Sequence, residues 1–145
     1  MSDDRPVLFD VNALVALALT THQHHRSAHT FLASVRTWAT CPVTESGLIR
    51  MLLNPVITGS QREVTEVWPI LRGMRSDPRW NFLPDDSTLV EAVVSPVVLM
   101  GHRQVTDLHL VNLAASRGTV LATFDSAIHT WLAPKDRPHV VTIPA

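Results

Sequence analysis

Val7-Leu8-Phe9-Asp10-Val11-Asn12 is the stretch on which the fold turns. Three apolar residues run together with no polar alternation before Asp10. That pattern predicts a strand buried on both faces, as found in parallel sheets covered by helices on either side. A second run of this kind, Thr119 to Phe124, is followed at once by Asp125.

Working outward, Asn12 to about Thr20 and His22 to about Trp38 predict helices, the second with Phe31, Leu32 and Val35 on its apolar face. Thr40 to Val43 predicts a short second strand. Thr44 is a candidate cap for a helix with Leu48, Ile49 and Leu52 inward, ended by Asn54-Pro55. Ser60 to Glu63 reads as a capping box before Val64, Val67, Leu71 and Met74 at helical spacing, with a kink or break expected at Pro69. Trp80 to Leu83 predicts a third strand, and Ser87 to about Met100 a mostly helical stretch interrupted at Pro96. Thr106 is a candidate cap for a helix apolar nearly all round, stopped by Gly118. After the Thr119–Phe124 strand, Ser126 to Ala133 predicts a short helix and His139 to Ile143 a last strand. Alternation of this sort from end to end predicts an α/β fold with a mostly parallel sheet. No repeat, linker or low-complexity tract divides residues 1–145, so one domain is expected.

The chain has 145 residues, of which 46% are apolar and 17% charged, a globular and not a disordered composition. The longest apolar run, Ala13 to Leu19, is far short of the roughly 20 residues that cross a bilayer. The start, Met1 to Arg5, is acidic and not greasy, so no secretory leader is expected. A lone cysteine, Cys41, forms no internal disulfide or thiolate cluster, in keeping with a reducing cytoplasm. With a net charge of −1, the chain would meet nucleic acid through a local patch and not through bulk charge.

Four acids stand out from the solvated remainder. Asp10 and Asp125 follow the two most apolar strands, and open α/β sheets bind ligands outside the carboxyl ends of strands. Glu45 and Asp107 each follow a candidate threonine cap, where a helix N-terminus favours negative charge. If the first and fourth strands are neighbours, all four can face one crevice. Such a cluster repels itself and needs a cation. With oxygen donors only, Mg2+ or Mn2+ fits better than zinc, and the chemistry suggested is phosphodiester hydrolysis.

At these positions the sequence resembles the PIN-domain ribonucleases, and most closely the toxins of VapBC-type toxin–antitoxin pairs. The resemblance is carried by Phe9-Asp10-Val11-Asn12-Ala13-Leu14, Thr44-Glu45-Ser46-Gly47-Leu48-Ile49-Arg50, Val105-Thr106-Asp107 through Ala114, and Leu121-Ala122-Thr123-Phe124-Asp125. It runs over nearly the whole chain. It implies a three-layer α/β/α architecture with a sheet of order 3-2-1-4-5, which would set the first and fourth strands side by side. It implies Mg2+- or Mn2+-dependent cleavage of RNA, often a tRNA or an rRNA loop, a small inhibiting antitoxin, and a homodimer. Asp10, Glu45, Asp107 and Asp125 carry over as metal-site acids, and Asn12 and Thr123 as supporting polar groups. One departure is Ile128, where an aromatic often follows the last acid by three positions. A silent module of the same fold, binding RNA or a partner without turnover, is the alternative.

Other classes drop out. No P-loop occurs, and the single lysine, Lys135, sits where neither a phospho-receiver domain nor a haloacid-dehalogenase-type phosphatase would need it. Among the remaining candidates, His25 and His29 stand at zinc spacing without an evident third ligand, so His22, His24, His25 and Arg26 read as a solvated helix start or the lining of a groove. Arg50 is expected to pair with an acid rather than reach a phosphate, and Trp38, Trp68, Trp80 and Trp131 to pack in the core rather than stack on bases.

Overall fold

The computed structural model describes residues 4–145; the leader reading thus falls partly outside the described residues, at Met1 to Asp3. Strand β1 (Val7–Phe9) leads into helix α1 (Val11–Ala18), and α2 (His25–Ser34) leads into β2 (Trp38–Thr40). Then come α3 (Pro42–Leu52), the single turn α4 (Pro55–Thr58), α5 (Val64–Arg75) and β3 (Trp80–Phe82). Helix α6 (Val105–Ser116), β4 (Val120–Thr123), α7 (Ser126–Trp131) and β5 (Val140–Thr142) complete the fold.

The five strands pair in the order β3-β2-β1-β4-β5, and every pairing is parallel. Val7 stands opposite Trp38 on one side and Val120 on the other, so β1 is the centre of the sheet. Side chains alternate across it. Val7 and Phe9 join Trp38, Val120 and Ala122 in one core with α1, α2, α3 and α5, which contribute Leu14, Ala28, Leu48, Leu52 and Val67. Leu8, Ala39, Leu121 and Val140 face the other way, onto Leu108, Leu110, Val111 and Leu113 of α6 and Ile128 of α7. Two cores on one sheet make the three layers that the resemblance implied. The inner strands β1, β2 and β4 are fully buried because a central parallel strand has no wet face, whereas the edge strand β3 is largely exposed.

Several local expectations are corrected. The second helix is shorter than expected and Trp38 belongs to β2, where its buried ring meets Phe9 edge-on at 5.6 Å. Helix α3 starts earlier than Thr44, at Pro42, a residue pre-set for the first helical position. Cys41 is therefore its N-cap and not a strand residue, and the Thr44 hydroxyl accepts the Cys41 N–H at 3.0 Å from inside the helix. Helix α6 likewise starts ahead of Thr106, at Val105, with Gln104 in the N-cap position but making no side-chain cap bond. The capping box before α5 lies three residues late, with the Glu63 N–H donating to Glu66.

Pro69 does not break α5, which is continuous; Pro69 and Thr65, whose carbonyl loses its partner, both face solvent. Residues 87–100 form no α-helix but only 3-10 turns at Leu89–Glu91 and Pro96–Val98. Their backbone N–H groups go to side chains instead: Val93 and Val94 donate to Asn112 Oδ1, and Ser95 to Asp136 Oδ2. Gly118, with φ of 63°, ends α6 in the left-handed region as the sequence predicted. Trp38 is core, but Trp68 is 40% exposed. Among the described residues no helix is long and apolar enough to cross a membrane.

Candidate active site

All strands run one way, so their carboxyl ends share one rim. Asp10 follows β1 there, Thr123 ends β4, and Asp125 lies two residues beyond. Asp10 serves two structures at once. Its Oδ1 accepts the Val11 N–H at 2.8 Å, capping α1, and its Oδ2 accepts the Thr123 hydroxyl at 2.8 Å. It is 6% exposed, and burial pushes its carboxyl pKa up against the pull of those bonds. Thr123 Oγ1 also accepts from Asn12 Nδ2 at 3.0 Å and from the Asp125 N–H at 3.1 Å. Asn12 Oδ1 accepts the Phe124 N–H at 3.1 Å. Asp125 caps α7, accepting the Ala127 N–H at 3.0 Å.

Asp107 comes from the first turn of α6 on the opposite layer. Among the described residues its carboxylate has no hydrogen-bond or ion-pair partner. Burial, then the charges of Asp10 and Asp125, push its pKa up to about 6. Three acids from β1, α6 and the β4–α7 junction are thus within electrostatic reach of one another.

Glu45 is held apart from that mutual repulsion. Its Oε2 accepts the Thr40 hydroxyl at 2.5 Å and Arg75 Nε at 3.2 Å. Arg75 in turn lies over the Trp80 ring, 4.5 Å from its centre, and 5.2 Å from that of Phe82. Trp80 Nε1 donates to Thr40 Oγ1 at 2.9 Å. This network of Thr40, Arg75, Trp80 and Phe82 escapes sequence reasoning, because its members lie on three elements with no shared spacing.

The donor set consists of oxygens alone, and an unpartnered carboxylate beside two others calls for a hard divalent cation. Among the described residues no group of three His, Cys, Asp or Glu side chains stands close enough to hold a metal ion by itself. Mg2+ keeps several of its waters and takes only one or two carboxylates directly, so it needs no such cage.

The other candidates resolve structurally. His25 Nδ1 and His29 Nε2 donate to the Ala16 and Leu17 carbonyls, at 2.8 and 3.0 Å, and pin α2 to the end of α1. His24 stacks on Phe124 at 4.8 Å. Arg50 is exposed and joins no ion pair among the described residues, contrary to the expected pairing; Arg75 holds Glu45 instead.

A PIN-domain family model matches residues 7–130. The chain belongs to the PIN-domain family. It is 41% identical to Ribonuclease VapC38 of Mycobacterium tuberculosis (strain ATCC 25618 / H37Rv) over 140 residues, which is 94% of this chain and 98% of that relative. Ribonuclease VapC29 of the same strain is 37% identical over 123 residues, 84% of this chain and 87% of the relative. Ribonuclease VapC39 of that strain is 36% identical over 124 residues, 83% and 89% of the two chains. Within the PIN-domain family the chain therefore stands among the VapC ribonucleases, as the four motifs suggested, and the sheet order implied by the resemblance is the one observed.

Proposed function

We propose that this chain is a Mg2+- or Mn2+-dependent endoribonuclease toxin that cuts cellular RNA, a tRNA or rRNA, and thereby arrests translation. The observation that carries the reading is Asp107: among the described residues a carboxylate without a hydrogen-bond or ion-pair partner, within electrostatic reach of Asp10 and Asp125. Uncompensated negative charge of this kind is costly unless a cation joins it.

Asp10, Asp107, Asp125 and Glu45 would hold the ion, one or two of them directly and the others through its waters. Bound there, it would supply positive charge at a phosphate oxygen and lower the pKa of a water. Thr123 and Asn12 fix the Asp10 carboxylate so that it does not turn away from the rim. Asp107, with no hydrogen-bond partner among the described residues, would orient a water for in-line attack on the RNA phosphorus, the bond to the leaving oxygen breaking as the new one forms and the water's proton passing to solvent. The whole chain, residues 1–145, acts as one domain in the cytoplasm, as a homodimer. A small VapB-type antitoxin neutralises it by laying a segment over the rim. The relatives' names, each a Ribonuclease VapC, support this assignment.

The test is cleavage. Asp10→Asn and Asp107→Asn should each abolish Mg2+-dependent appearance of new RNA 5′ ends after a pulse of expression, with an unchanged circular-dichroism spectrum. Wild-type cutting by both variants ends the reading.

A further inference from the structure

Beyond the four acids, the rim continues onto β3 at the edge of the sheet. Phe82 closes that strand, and its ring is 41% exposed. Trp80, two residues earlier, lies on the same face, with ring centres 6.5 Å apart. The Arg75 guanidinium covers both rings and holds Glu45 through Nε. A planar cation and a half-exposed aromatic ring, joined side by side, form a ledge at the carboxyl end of the sheet. Unpaired RNA bases stack on aromatic rings and on guanidinium planes without needing a given sequence.

Position argues for the same occupant. β3 is two strands from β1 across β2, so the ledge stands roughly 10 Å from the backbone of Asp10. A short run of single-stranded RNA spans that gap. The two places are also wired together: Trp80 Nε1 donates to Thr40 Oγ1, and the Thr40 hydroxyl donates to Glu45.

We propose that Phe82 and Arg75 form a stacking subsite for an unpaired RNA base flanking the scissile phosphate. The subsite rests on the endoribonuclease reading but is tested apart from it. Phe82 is the clean probe, since it lies outside the Glu45 hydrogen bonds.

The probe is a short single-stranded RNA of mixed sequence carrying one 2-aminopurine, titrated onto the full-length protein with Ca2+ in place of Mg2+. Stacking quenches its fluorescence. Phe82→Ala should bind about tenfold more weakly and lose most of the quench, while Phe82→Trp should restore both. Equal affinity and quench in Phe82→Ala overturn the subsite, as does no binding by the wild type or failure of Phe82→Trp to rescue a folded protein. Failure of the nuclease reading would surface elsewhere, in undiminished cutting by Asp10→Asn and Asp107→Asn.

Discussion

On the β1–β4 half of the rim, Asp10 is buried, tied to Thr123 and within electrostatic reach of Asp107 and Asp125, which form no ion pair among the described residues. On the β2–β3 half, Glu45 sits against its own arginine, roofed by two aromatic rings. The same residue type thus serves opposite ends. One half leaves its negative charge without an internal partner among the described residues; in the other, Arg75 partly offsets the charge of Glu45. Charge that is left unpaired at a cost in stability is the better sign of chemistry than charge that is merely present.

Breaking the β1–β4 half should cost most, as the Asp10→Asn and Asp107→Asn variants above are designed to reveal. Next comes its support. Thr123→Val keeps the shape but strands the Asn12 amide and the Asp125 N–H, which the Thr123 oxygen accepts. Cleavage should fall about 10- to 100-fold, and urea unfolding should register a loss of about 1–3 kcal/mol. An active, fully stable Thr123→Val would mean that Asp10 needs no such anchor.

Glu45→Gln should be milder, about tenfold in initial cleavage rate, because the lost charge already has an internal partner. A loss equal to that of Asp107→Asn would erase the contrast between the halves.

The smallest effect is on stability. The folded pKa of Asp107, about 6, lies above its ordinary value of 3.8. Metal-free folded protein therefore holds that proton more tightly than the unfolded chain does between about pH 4 and pH 6, and stability falls as pH rises through that window. Asp10, also raised, adds in the same direction. Asp107→Asn removes the penalty. In EDTA it should match wild type near pH 4 and exceed it at pH 7 by about 1–2 kcal/mol once solvent screening of this half-buried group is allowed for. A difference that does not change with pH would show that the acids do not crowd one another.

Much of this was legible in the chain because it is local. Val7 to Asp10 and Thr119 to Asp125 announce buried strands that end in acids, and the helix before Gly118 announces its depth through unbroken apolarity. What was illegible depends on distant partners. Residues 87–100 look helical by composition, yet Asn112 and Asp136 take their N–H groups from across the fold. Arg50 looked like the partner for an acid, but Arg75, on another helix, reaches Glu45 first. Trp68 looked like core because its neighbours are apolar, but α5 turns that position outward while Val67 beside it is wholly buried. Periodicity describes a face; it does not say what meets that face.

The uniform strand direction has one more consequence. At the amino-end rim Pro6, Thr37 and Arg79 offer carbonyls to Val120, Val7 and Trp38, and Asp77 pairs with Arg79. None of the four candidate site acids lies there. A dye, tether or surface attachment grafted at that pole would leave the opposite one unobstructed, which makes this protein convenient to immobilise with its working end outward.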